Sequence, residues 1–182
     1  MREQILDNAL LLADSCGWER LTLQQVALAT QISLADIYPH FRTKDELVDA
    51  WFDRADVAML SAQISAELPA QQRLQQAIQQ WLAALAPYHK LSGQMLLYKL
   101  EPGHIHLQLG GVLRISRTVQ WLREAAGLNA SGVARIGQEL ALTSLFVAVF
   151  IYWLSDNSVA QQRSYWLLQR KLQYADKLKL WY

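Results

Sequence analysis

Apolar residues recur at three- and four-residue steps from the start of the chain. Ile5, Ala9, Leu12, Ala13 and Cys16 fall on one face of a helix over residues 3–16. Gly17 follows, where a left-handed cap is needed. A second helix starts at Thr22, with Gln25 three residues on as its capping-box partner and Leu23, Val26 and Ala27 facing inward. The turn is Thr30-Gln31-Ile32, and Ile32 is placed to plug the gap between helices two and three. Ser33 caps the third helix, Asp36 holds the reciprocal position, and Ile37 and Phe41 point back to the core. Pro39 lacks an N–H and crowds the carbonyl of Ala35, so this helix is predicted to bend or end early. Thr43-Lys44-Asp45-Glu46 reads as another capping box, starting helix four.

Beyond residue 52 the pattern stays helical. Loops are expected near Leu68-Pro69, Ala86-Pro87, Glu101-Pro102-Gly103, Gly110-Gly111, residues 127–132 and residues 155–160. β-branched residues do not alternate regularly, and the good helix formers Leu, Ala, Gln and Arg dominate, so the fold class is all-α. The longest apolar run, Leu140 to Leu154, holds 15 residues. A membrane-spanning helix needs about 20, so the run is read as a buried helix. It and Tyr165 to Leu180 make two long closing helices. The glutamines of residues 71–80 are expected to form a solvated helix face.

Composition narrows the class. With 182 residues, 52% hydrophobic and 18% charged, the chain is globular and large enough for a small head on a larger helical body. Cys16 is the only cysteine, so an intrachain disulfide is impossible, and its simplest role is a small core side chain. The first residues lead straight into an amphipathic helix without a signal-peptide pattern, which places the expected location in the cytoplasm. Residues 1–56 hold five basic and ten acidic groups, a net −5, and residues 57–182 hold twelve and six, a net +6. A DNA-binding head is normally the basic part, because phosphate neutralisation supplies most non-specific affinity. The reversal here is compatible with DNA only if carboxylates such as Asp7, Asp14, Asp49, Asp53 and Asp56 lie on faces turned away from it.

The third helix leaves Leu34, Ala35, Tyr38 and His40 exposed, the positions a helix in the major groove uses on bases and phosphates. Asp36 either only completes the Ser33 cap or accepts from a cytosine amino group. Lys44, at the start of helix four, would favour a phosphate together with the helix N-terminus. Thr22 and Thr43 can cap and touch a phosphate with one hydroxyl. Five of the seven tryptophans lie beyond residue 57. Trp81, Tyr88, Met95, Tyr98, Trp121, Phe146 and Phe150, in the middle helices, are the candidates to line an apolar ligand cavity, although such residues equally fill a core or a subunit interface. His104-Ile105-His106 lacks further ligands at metal spacing apart from Glu101, so no metal is assigned. Paired carboxylates, a nucleophile–base motif and a phosphate-cradling glycine loop are all missing, so neither an enzyme nor a cofactor is expected.

Residues 3 to about 52 resemble the helix-turn-helix domain of the TetR-type regulators. The resemblance is carried by Thr22, Ala27, Ser33, Ile37, Tyr38, His40, Phe41, Thr43, Lys44 and Leu47. It implies a three-helix DNA-binding head over residues 1–47 and a helical effector-binding and dimerisation body over residues 48–182. It implies that Thr22, Tyr38, His40 and Lys44 hold the DNA backbone, while Leu34, Ala35 and Asp36 face bases. It further implies a homodimer on a palindromic operator, repressing until a small apolar effector binds. Gln31 departs from the family, standing where the turn commonly has glycine.

A second resemblance involves residues 48–60 and 152–178, which are similar to the TetR-like lipid-binding accessory proteins of coenzyme Q biosynthesis. That likeness implies a lipid carrier without a DNA function and a terminal helix used on membranes. The last twenty residues carry Arg163, Arg170, Lys171, Lys177 and Lys179 against Asp176, with Tyr165, Trp166, Tyr174, Trp181 and Tyr182 among them. Basic and aromatic residues at helical spacing suit an anionic membrane surface, and they suit a dimer-interface helix with snorkelling lysines as well.

Overall fold

The structure is a computed structural model that describes residues 1–99 and 105–181, with only the helical backbone described over 105–109. The described residues are helical without a strand, as the sequence pattern predicts. The helices are α1 (Arg2–Cys16), α2 (Leu23–Thr30), α3 (Leu34–Ile37), α4 (Lys44–Leu60), α5 (Ala70–Leu85), α6 (His89–Lys99), α7 (Ile105–Ala125), α8 (Gly132–Ser155) and α9 (Gln162–Lys177). They form two compact units. One takes Met1–Arg54 and Leu85–Gly111, the other Ala55–Ala84 and Val112–Tyr182.

The first unit is built on α1 to α3, the start of α4, and α6. Its core holds Ile5, Leu6, Ala9, Leu10, Trp18, Val26, Ile37, Phe41 and Leu47, joined by Leu91 and Met95 of α6. Fully burying one large apolar side chain contributes roughly 1.5–3 kcal/mol. The expected α1 face was rotated: Leu6 and Leu10 are buried, whereas Leu12 and Cys16 are only half-buried. Residues 10–12 are three leucines in a row, so periodicity alone could not choose among them. Gly17 has φ 87° and ends α1 with its N–H on the Ala13 carbonyl. Gln94 of α6 accepts from the Trp18 backbone N–H at 2.7 Å, and Ser92 accepts from the Trp51 indole at 2.9 Å.

In the second unit, Trp81 meets Phe146 and Phe150 edge to face, each at 5.0 Å. Beside this cluster, Asp56 is buried and accepts from the Trp81 indole, the Thr118 hydroxyl and the Arg114 guanidinium at 2.8, 3.0 and 2.8 Å. The loops expected at Leu68-Pro69, 127–132 and 155–160 are present around helix ends. Ala86-Pro87 falls in a short 3-10 turn between α5 and α6, and Glu101-Pro102-Gly103 lies outside the described residues. Gly110-Gly111, expected as a loop, lies inside α7 instead. A helical glycine costs only about 1 kcal/mol, which the rest of a 21-residue helix can absorb. The apolar run Leu140 to Leu154 is part of the 24-residue α8, which is long and apolar enough to cross a membrane by length and composition. It is also buried on one face rather than all round. Leu142, Phe146, Val149 and Trp153 face in, whereas Ile136, Leu140 and Ile151 are exposed.

Asp156 fixes the turn from α8 to α9. It accepts from the Ser158 N–H at 2.9 Å, the Ser164 N–H at 2.8 Å and the Ser164 hydroxyl at 2.6 Å. Burial alone would raise its pKa, but these bonds outweigh it and hold the carboxyl well below the usual range. A depressed native pKa gives stability that is present above the unfolded value, about 3.9, and lost as pH falls below it. Asp156→Ala is therefore expected to cost about 2–3 kcal/mol at neutral pH. Urea unfolding should show the gap to the unsubstituted chain narrowing at about pH 3.

Candidate nucleic-acid interface

The site begins with two capping boxes. Thr22 accepts from the Gln25 N–H at 3.2 Å and gives its own N–H to the Gln25 side chain at 2.8 Å. Ser33 and Asp36 repeat the exchange across the start of α3, at 3.2 and 2.9 Å. The Ser33 hydroxyl also donates to Asp36 Oδ2 at 2.6 Å, and these bonds lower the carboxyl's pKa. The cap role that the sequence allowed for Asp36 is thus observed, with the side chain still in solvent.

The turn between α2 and α3 needs a left-handed residue, and Gln31 supplies it at φ 59° and ψ 40°. A side chain in that region costs about 1–2 kcal/mol, and glycine's extra unfolded freedom costs about 0.5–1 kcal/mol. Gln31→Gly is therefore expected to stabilise the chain by about 0.5–1 kcal/mol, read as a melting temperature raised by about 1–4 °C.

As Pro39 predicts, α3 stops at Ile37. Tyr38 remains in the right-handed region at φ −54°, and the His40 and Phe41 N–H groups return to the Ile37 carbonyl. Ile37 and Phe41 are buried, so the opposite face is turned out. Leu34 is 47% and Tyr38 62% exposed, and Ser33, Ala35 and Asp36 are exposed beside them. His40 is half-buried. Thr22 and Thr43 are exposed at the starts of α2 and α4.

The cap of α4 departs from the expected exchange. Thr43 accepts from the Glu46 N–H at 3.3 Å, but the Glu46 carboxylate turns to the Arg42 N–H at 2.8 Å. Lys44 is half-buried rather than extended into solvent. Its ammonium donates to the Glu19 carbonyl at 3.1 Å and stands over the Trp18 and Tyr98 rings at 4.9 and 5.6 Å. Burial lowers its pKa. The sequence reading missed Arg42, which is exposed next to Thr43 and lies within the same motif.

At least five of the ten carboxylates of residues 1–56 are held in ion pairs. Arg54 binds Glu3 and Asp7 at 2.6 and 2.7 Å, and buried Lys99 of α6 binds Asp45 and Asp49 at 2.5 and 2.9 Å. Asp56 pairs with Arg114 in the second unit. Arg54 is already counted in the net −5, whereas Lys99 and Arg114 come from beyond residue 56 and bring it to −3.

The candidate ligand residues divide between the units. Trp81, Phe146 and Phe150 come together in the second, where Trp121 is 44% exposed. Met95 is buried in the first, where Tyr88 packs on Trp51 and Tyr98 sits against Trp18. The His104 and His106 side chains lie outside those described.

Two short helices joined by a left-handed turn, with the second presenting an exposed face, define a helix-turn-helix protein. Residues 5–51 match the family model described as bacterial regulatory proteins, tetR family. The chain is 40% identical to a TetR transcriptional regulator from Nitrosomonas europaea over 97% of its own length and 98% of the other, with a TM-score of 0.85. A TetR regulator from Rhodococcus sp. RHA1 shares the fold at 20% identity, covering 95% of this chain and 94% of that one, with a TM-score of 0.72. PfmR of Thermus thermophilus does so at 18% identity, covering 93% and 97%, with a TM-score of 0.57. The comparison with curated proteins gave no match. The chain belongs to the TetR family of transcriptional regulators.

Proposed function

We propose that this regulator is a cytoplasmic, non-enzymatic homodimer that represses from a palindromic operator and is released by a small apolar ligand. The observation that carries the reading is the α3 face. Ser33, Leu34, Ala35, Asp36 and Tyr38 stand exposed together, with Thr22 and Thr43 exposed at the neighbouring helix starts. In this reading Leu34, Ala35 and Asp36 meet base edges, and Asp36 Oδ1 accepts from a cytosine amino group while Oδ2 keeps the cap. Thr22, Ser33, Tyr38, His40, Thr43 and Lys44 hold phosphates, with the α4 N-terminus contributing its positive end. Residues 1–47 form the DNA-binding domain, and residues 48–182 form the effector and dimerisation domain.

Dimerisation through α8 and α9 is supported by their exposed apolar residues. Trp166 and Tyr174 line the outside of α9 with Leu178 just beyond its end, and a groove of about 520 Å³ runs between Ala141, Ser144 and Leu145 of α8 and Arg170, Tyr174 and Leu178. Two copies on one two-fold axis then match two half-sites. The effector would enter among Trp81, Phe146 and Phe150, with Tyr88, Met95, Tyr98 and Trp121 as the further candidates. It would act by changing the separation of the two heads, since α4 starts at the DNA site and its chain continues past Arg54 into the second unit.

Selection of genomic DNA fragments on the purified protein tests this. An enriched palindrome supports the regulator reading. No enrichment at about 50 mM salt, where phosphate contacts are strongest, overturns it. A second reading, a lipid-binding protein without DNA function, draws support from α9, where Trp166 and Tyr174 are exposed among Arg163, Arg170, Lys171 and Lys177. It requires binding to anionic liposomes together with failure of the DNA selection.

A further inference from the structure

The glutamines of α5 lie on a solvated face, as expected, with Gln72, Gln76 and Gln80 exposed. Five of its glutamines, from Gln71 to Gln79, face Gln169 and Gln173 of α9 across a groove of about 340 Å³ within the second unit. The groove lining is amide side chains alone, with neither a charged nor an aliphatic residue in it. Gln71, Gln75, Gln79 and Gln173 are half-buried.

Among the described residues, none of these seven side chains makes a hydrogen bond to the protein. A primary amide carries two N–H donors and an acceptor oxygen, all of which seek a partner in the protein, in water or in a ligand. Seven together would otherwise depend on groove water for their bonds. The helix spacing brings them into register: Gln71, Gln75 and Gln79 are four apart on α5, and Gln169 and Gln173 are four apart on α9.

We propose that this groove is a binding site for a neutral polyhydroxylated ligand, a mono- or disaccharide. The chemistry of the lining selects the class by elimination. A phosphate or carboxylate ligand needs a cation, and the lining has none. A lipid or an amphipathic helix needs apolar wall, and the lining has none of that either. Sugar hydroxyls both donate and accept, as the amides do, so each ring can satisfy several glutamines. This site does not depend on the DNA-binding reading.

The test uses the full-length protein labelled with ¹⁵N, titrated separately with glucose, galactose, maltose and trehalose. The glutamine side-chain NH₂ resonances are followed. A saturable shift of the Gln75, Gln79 and Gln173 amides by at least one sugar, with Kd of about 1 mM or tighter, is expected. A Gln75→Ala, Gln79→Ala double variant should keep its circular dichroism and weaken binding at least about tenfold, a loss of about 1.4 kcal/mol. Three results would overturn the proposal: no saturable shift with any of the four sugars, equal affinity in the double variant, or a change of oligomeric state in that variant, which would make the groove a contact between copies.

Discussion

Asp56→Ala is expected to lower unfolding free energy by about 3–5 kcal/mol. The carboxylate sits at 6% exposure and satisfies three buried donors from three places in the second unit: Trp81 of α5 and Arg114 and Thr118 of α7. Truncation removes the counter-charge of a guanidinium that is itself 6% exposed, and it takes the acceptor from an indole N–H and a hydroxyl. Asp56→Asn should cost less, since its oxygen still accepts from Trp81 and Thr118. Urea unfolding at fixed protomer concentration reads both changes. An Asp56→Ala loss below about 1 kcal/mol would mean that the network contributes little to the second unit.

The second large effect is on DNA. Tyr38→Ala combined with Lys44→Ala is expected to weaken operator binding by about 2 kcal/mol per head, about a thousandfold for two heads. Tyr38 is 62% exposed, so its removal acts mainly on the bound state. Lys44 carries a second duty, because it ties the Glu19 carbonyl and two aromatic rings to the start of α4. Tyr38→Phe therefore gives the cleaner comparison, removing one hydroxyl with the ring kept. It should cost about 1 kcal/mol per head, with an unchanged melting temperature.

The head was legible because its signals are local. Thr22 with Gln25 and Ser33 with Asp36 are three-residue patterns whose geometry follows from the backbone alone, and both boxes form as read. Pro39 ends α3 for a steric reason that needs no partner. What depends on distant packing was not legible. Glu46 turned to Arg42 instead of closing the third box, and Lys44 was drawn in by Trp18 and Tyr98, the latter on a helix more than fifty residues away. The acidic head looked unfit for DNA because the sequence does not reveal that Lys99, from α6, bridges Asp45 and Asp49 and offsets one of their two charges. The α8 run looked fully buried because hydrophobicity does not distinguish a face that meets the core from one that awaits a partner.

The most direct measurement is a titration of the selected palindrome with the wild-type chain and the Tyr38→Ala, Lys44→Ala variant at several salt concentrations between about 50 and 200 mM. The account predicts specific wild-type binding that weakens steeply with salt. In the variant, affinity should fall about a thousandfold, and the salt slope should flatten by about one per head. Equal affinity and equal slope for the two proteins would contradict the placement of DNA on the α3 face and the start of α4.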